Sequence, residues 1–158
     1  MDNVRLLEGE LVVRDLRFAI VASRFNEAVV DNLVRGALDT LRRHGAEEKQ
    51  LTLVRVPGAF DMPLVVRKLA QTRRYDAIVA LGAVIRGQTS HFDYVAGECA
   101  SGLARVAQET GVPVTLGVLT TETAEQAMDR AGGKAGNKGA DAALCAVELA
   151  NLLRRLEA

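Results

Sequence analysis

This sequence predicts a three-layer α/β/α domain built on a four-stranded parallel sheet, on three observations. Strand-like and helix-like segments alternate four times along the chain. The strand-like segments are unbroken apolar runs, as strands covered on both faces are. The 158 residues, 49% of them hydrophobic, suffice for one domain but not for two ordinary ones. A chain of this length buries roughly 70% of its unfolded surface.

The elements follow in order. Arg17-Phe18-Ala19-Ile20-Val21-Ala22 reads as the first buried strand. Val29, Val30, Leu33, Val34, Ala37, Leu38 and Leu41 recur at the spacing of one helix face, with Asn26 as its cap and Gly45 closing its end. Leu51 to Val56 is the second strand, stopped by Pro57-Gly58, and a short helix runs from Pro63 to Gln71 with the proline in its first turn. Ala77 to Leu81 is the third strand and Ser90 to Glu109 a helix ended by Gly111 and Pro113. Val114 to Leu119 is the fourth strand, Thr123 to Ala131 a short helix and Ala140 to Leu156 a long amphipathic one. Residues 1–158 thus form a single domain with 1–15 as an extension. Within that extension Leu6, Leu7, Leu11, Val12 and Val13 suit an extra strand, one able to pair with a neighbouring subunit's sheet.

Composition removes several functional classes. Lys plus Arg number 20 and Asp plus Glu number 20. That balance gives no footprint for nucleic acid and little repulsion between copies. Cys99 and Cys145 fall inside helical apolar patterns, so they read as small buried thiols and not as a disulfide framework or a zinc site. The first residues lack the pattern of a signal peptide, and no apolar run approaches the ~20 residues of a membrane span. The expectation is a soluble cytoplasmic protein without bound metal.

Right-handed crossovers put every strand-to-helix loop at one edge of the sheet, where open parallel sheets bind ligands. Ser23-Arg24-Phe25-Asn26, Pro57-Gly58-Ala59-Phe60-Asp61, Gly82 to His91 and Thr120-Thr121-Glu122-Thr123 therefore meet there. Phe25 and Phe60 are two of only four phenylalanines, and a flat ligand stacking on Phe25 gives such a loop aromatic a use that capping the core does not. His44 ends a helix and reads as structural, whereas His91 opens one at the ligand edge, as either an acid–base group or a helix-start hydrogen-bonding residue. Gly87-Gln88-Thr89-Ser90 ahead of that helix makes an anion site or a plain turn. The Gly-rich stretch Arg130 to Gly139 has neither P-loop nor dinucleotide spacing. It reads as a flexible joint between two helices, or as a cationic clamp in which Arg130 holds a phosphate.

Five blocks carry a more specific signal: Ser23-Arg24-Phe25-Asn26, Pro57-Gly58-Ala59-Phe60, Gly82 to Gly87 with His91-Phe92-Asp93-Tyr94-Val95, Gly117 to Thr121, and Lys134 to Gly139. In order and spacing they resemble the lumazine synthases, from about Leu16 to the end. The resemblance implies the penultimate step of riboflavin biosynthesis: 5-amino-6-(D-ribitylamino)uracil condenses with 3,4-dihydroxy-2-butanone 4-phosphate, giving 6,7-dimethyl-8-ribityllumazine, phosphate and water without a cofactor. It implies that Phe25 stacks on the pyrimidine and that Ala59, Phe60 and Asp61 line the ribityl chain. Ala83, Val84 and Ile85 hold the uracil edge, Gln88 and Thr89 bind phosphate with Arg130 of an adjacent subunit, His91 transfers protons, and Lys138 lies near the pocket.

The likeness also implies a pentamer, twelve of which close a 60-subunit shell, with riboflavin synthase as a partner. Small residues on the third helix (Ala96, Gly97, Ala100, Ser101, Gly102, Ala104) suit packing around a fivefold axis. Two departures touch the site. Asp61 stands where relatives usually carry Glu, and Leu116 replaces an aromatic offered by the neighbouring subunit. Gln88 and Ser90 fall at positions that vary. A non-catalytic homologue that binds flavin or lumazine, or only forms the shell, is the alternative. A flavodoxin-like nucleotide domain is disfavoured, because no phosphate-cradling loop follows the first strand.

Overall fold

The computed structural model describes residues 2–158. Strand β1 (Phe18–Ser23) is buried along its whole length and is the middle of the architecture. It pairs in parallel with β2 (Leu51–Val56) on one side and β3 (Ala77–Ile85) on the other. Strand β4 (Val114–Thr121) pairs in parallel with β3, giving the order β2-β1-β3-β4, a flavodoxin-like sheet. Because side chains alternate across a strand, β1 feeds two cores. Phe18, Ile20 and Ala22 pack toward α1 (Glu27–Arg43) and α5 (Lys138–Glu157), joining Leu33, Ala143 and Val147. Ala19 and Val21 pack toward α2 (Met62–Gln71) and α3 (His91–Thr110), joining Met62, Val66, Ile78 and Leu103. The predicted three layers are all present.

Three boundaries differ from the sequence reading, each for a physical reason. β3 does not stop at Leu81. Gly82 to Ile85 continue as strand, paired with Val118 to Thr121 of β4 after β1 has ended at its side. The Gly-rich stretch is not a loose joint: after α4 (Ala124–Asp129), Ala131–Gly133 and Gly136–Asn137 form β5 and β6 of a small antiparallel hairpin. Gly136 has φ 87° there, a conformation glycine adopts freely. The last helix begins at Lys138, capped by the Asn137 side chain, which accepts from the N–H groups of Gly139 (2.8 Å) and Ala140 (3.1 Å). Gly139 lies directly against the Leu33 backbone, where any side chain would collide, so α1 and α5 pack closely.

Among the described residues the N-terminal extension forms no strand within the chain. It lies along α5, whose side chains grip its carbonyls. Arg155 donates to Glu8 (2.8 Å), Asn151 to Glu10 (2.6 Å) and Val12 (2.9 Å), and Arg154 to Arg14 (2.9 Å) and Asp15 (2.8 Å). Leu6, Leu11 and Val12 stay exposed. No helix among the described residues is long and apolar enough to cross a membrane.

Candidate active site

Parallel strands joined by right-handed crossovers leave a crevice at their carboxyl ends, and here it is a pocket of about 520 Å³. Its lining contains Phe25, Ala59, Phe60, Asp61, Ala83, Val84, Ile85, Thr89 and His91, all assigned to the site from the sequence. Asn26, Pro57, Gly58, Gly87, Phe92 and Val95 complete it. Each wall has a structural origin. The β1 ladder continues past the strand, with Arg24 N–H donating to Val56 (2.8 Å) and Phe25 N–H to Pro57 (3.1 Å). That continuation carries the Phe25 ring, 72% exposed, out over the pocket. The opposite wall is the end of β3, where residues beyond Leu81 have lost β1 as a partner.

A second wall is a single turn of 3-10 helix, Ala59–Asp61, between β2 and α2. Asp61 Oδ2 accepts from Gly58 N–H at 3.1 Å, so one oxygen of this short carboxylate is committed to its own turn. Phe60 is 60% exposed. At the third wall, Ser90 stands before α3 without a side-chain cap, and Thr89 Oγ1 accepts from His91 N–H at 3.4 Å. Asp93 N–H is taken by the Ser90 carbonyl at 3.1 Å, which leaves Phe92 N–H, and the weakly held His91 N–H, toward an anion. His91 is exposed on the first turn. Gln88 sits in the same exposed turn but does not line the pocket.

Asp61 and His91 are the only titratable side chains lining this pocket. Arg86, which follows the β3 wall, is engaged elsewhere. It pairs with Glu122 (2.8 Å) and Asp93 (3.5 Å), and its guanidinium lies 4.5 Å from the centre of the Phe92 ring. Arg86 thereby fastens the β3 and β4 ends to α3, a role that no motif in the sequence announces.

Arg130 and Lys138 lie elsewhere. They line a separate depression of about 340 Å³ with Val118 to Thr121, Ala135 and Asp141, beyond β4. Lys138 is thus not beside the pocket of its own chain. Leu116, 47% exposed, occupies the same flank in two further hollows, one against α3 and one against α5. β4 is an edge strand, bonded to β3 alone. The structure therefore brings most of the predicted site together and holds Leu116, Arg130 and Lys138 apart from it.

The remaining chemistry-bearing groups are structural. His44 Nδ1 lies 2.8 Å from the Thr40 carbonyl at the end of α1, as its helix-end position suggests. Cys99 is buried as expected, and burial pushes its thiol up to about 11. Cys145, expected to be buried, lies exposed on α5, its thiol raised by partial burial and by Glu148; neither is a poised nucleophile. Among the described residues no cluster of His, Cys, Asp or Glu could hold a metal ion.

Comparison with known proteins agrees with this geometry. The family model for 6,7-dimethyl-8-ribityllumazine synthase matches residues 15–154. A 6,7-dimethyl-8-ribityllumazine synthase of Halorhodospira halophila is 58% identical over 156 residues, covering 98% of this chain and all of the relative. The chain belongs to the 6,7-dimethyl-8-ribityllumazine synthase family and is a transferase of riboflavin biosynthesis.

Proposed function

We propose that the edge pocket is where 5-amino-6-(D-ribitylamino)uracil meets 3,4-dihydroxy-2-butanone 4-phosphate, and that a second copy of the chain completes it with Arg130, Lys138 and Leu116. The observation that carries this reading is electrostatic. A phosphorylated substrate needs cations, yet the pocket lining holds neither Lys nor Arg, while Arg130 and Lys138 stand on the far flank of the same chain. Docking one copy's β4 flank against another's pocket cures both deficits.

In this arrangement Phe25 stacks on the pyrimidine and the neighbour's Leu116 closes over it. The backbone of Ala83, Val84 and Ile85 meets the uracil edge. Ala59, Phe60 and the free oxygen of Asp61 line the ribityl chain. Thr89 and the Gln88 backbone receive the phosphate with the open donors of α3, and the neighbour's Arg130 binds it as a fork. The amine attacks the ketone carbon and water leaves. Phosphate is then eliminated and the resulting enol becomes a ketone. The ribityl-bearing amine attacks that ketone and closes the second ring with loss of a second water, His91 moving protons. Since the amine is already nucleophilic and the phosphate already a good leaving group, holding the two substrates in register supplies most of the acceleration, roughly 7–11 kcal/mol.

For the assembly we propose a pentamer and a shell of twelve. Its support is the exposed row Gly97, Ala100, Ser101 and Ala104 on α3. Gly102 is not part of that row, because it faces Pro63 of α2. Riboflavin synthase, which consumes the lumazine, is the partner this product implies. The free thiols Cys99 and Cys145 suit a reducing cytoplasm.

Mixing two impaired variants, assayed with butanone phosphate below its KM, tests the shared site. His91→Ala damages the pocket half and Arg130→Ala the flank half. Co-refolded, they form some interfaces that join an intact pocket to an intact flank, so about a quarter of the parental activity returns. Recovery of no activity from mixed oligomers overturns the division between copies.

A further inference from the structure

We infer that Asn26 is a positioning residue for the pyrimidine substrate: its side-chain amide locks the Phe25 loop onto the projecting end of β3 and so sets the width of the pyrimidine slot. The inference rests on the pocket assignment above, and three independent features converge on it.

The first is a missing cap. Asn26 stands directly before α1, where its side chain ordinarily accepts from the first turn. It makes no such bond. Its Nδ2 instead donates to the Ala83 carbonyl at 2.9 Å, 57 residues away in the chain. The second is backbone conformation. Asn26 has φ 62° and ψ 46°, the left-handed region that asparagine tolerates better than most residues. The other non-glycine residues at positive φ, Asp15 and Arg73, do not line the pocket. This turn lets the chain leave the β1 ladder immediately after Phe25 and enter α1 with the phenyl ring over the slot.

The third is the overhang of β3. Beyond Leu81 the strand has β4 on one side and no β1 on the other, and Ala83 is only 4% exposed. Its carbonyl on that side is without a ladder partner unless Asn26 supplies one. A buried acceptor left unpaired is costly. One amide therefore satisfies the carbonyl and fixes two walls, Phe25 on one and Ala83 to Ile85 on the other. The phosphate end, at Thr89 and the start of α3, lies outside this clamp.

The test separates the two substrates kinetically. Asn26→Gly keeps the left-handed turn and removes the clamp. Its KM for the ribitylaminouracil is expected to rise about tenfold, the worth of a single hydrogen bond near the upper end of the usual range, while its KM for the butanone phosphate stays within about twofold. Asn26→Asp is the second variant, equally at ease at positive φ. Its carboxylate faces the Ala83 carbonyl repulsively, so its pyrimidine KM rises further and then falls as the pH is lowered and a protonated carboxyl donates again. A pyrimidine KM unchanged in both variants, or equal increases for both substrates, overturns the inference. Circular dichroism melting identifies a misfolded variant, and the other one then decides. Failure of the pocket assignment itself reads differently: Phe25→Ala then leaves the pyrimidine KM unaltered.

Discussion

The carboxyl-edge pocket and the β4 flank are built from opposite materials. The pocket is a crevice between strand ends, lined by three phenylalanine rings, strand backbone, one carboxylate and one imidazole. The flank is an uncovered edge strand with an exposed leucine and two cations, Arg130 and Lys138. Within one chain, the surface suited to a flat heterocycle and the cations Arg130 and Lys138 are thus kept apart. The difference teaches why the proposed site needs two copies: on that reading a single copy carries the parts of the site but not the site itself, and assembly is a condition of catalysis.

Four substitutions break or sharpen that contrast. The largest effect is expected of His91→Ala, which lowers kcat by about 10²–10⁴-fold with little change in either KM, as removal of one proton-transfer group does. Initial rates of lumazine fluorescence above the uncatalysed background measure it. Total loss of turnover, with both substrates still bound and the oligomer intact, contradicts the view that register supplies most of the acceleration. Next is Arg130→Ala. A charge-assisted pair is worth about 1.5–3 kcal/mol, so the KM for the butanone phosphate rises about 10–100-fold while that for the pyrimidine holds. Equal increases in both constants in steady-state titrations count against a dedicated phosphate role.

Phe25→Ala follows, with roughly a tenfold rise in pyrimidine KM from lost stacking and buried area. Isothermal titration with the ribitylaminouracil alone reads the same loss directly. Leu116→Phe is the mildest and runs the other way. Restoring an aromatic lid tightens pyrimidine binding by a factor of a few. Since Leu116 does not line the pocket of its own chain, the gain appears only in assembled protein. An equal gain in dissociated subunits refutes the placement of the flank over a neighbour's pocket.

The layers were legible because β1 and β3 are covered on both faces and read as uninterrupted apolar runs. The length of β3 was not, because Gly82 to Ile85 remain strand only through pairing with β4, a partner more than thirty residues away. The hairpin after α4 was hidden for a related reason: glycine-rich sequence advertises freedom, whereas Gly136 uses that freedom for one fixed turn. At the site, the loops around Phe25, Phe60 and His91 could be gathered from the crossover rule alone. Asn26 looked like an ordinary helix cap, and only the fold reveals that its amide answers Ala83. Arg86 was silent, since its pairing with Glu122 and Asp93 depends on three elements converging.

The arm ahead of β1 has a consequence for how copies come together. Asn151, Arg154 and Arg155 hold it against α5 within its own chain, carbonyl by carbonyl, with Leu6, Leu11 and Val12 turned to solvent. Freezing a flexible peptide costs about 1–2 kcal/mol per residue, and here much of that cost falls at folding and not at encounter. In the pentamer proposed above, a neighbour meets an arm already held in place, and the rate at which rings close depends on the far end of the last helix, a place remote from any substrate.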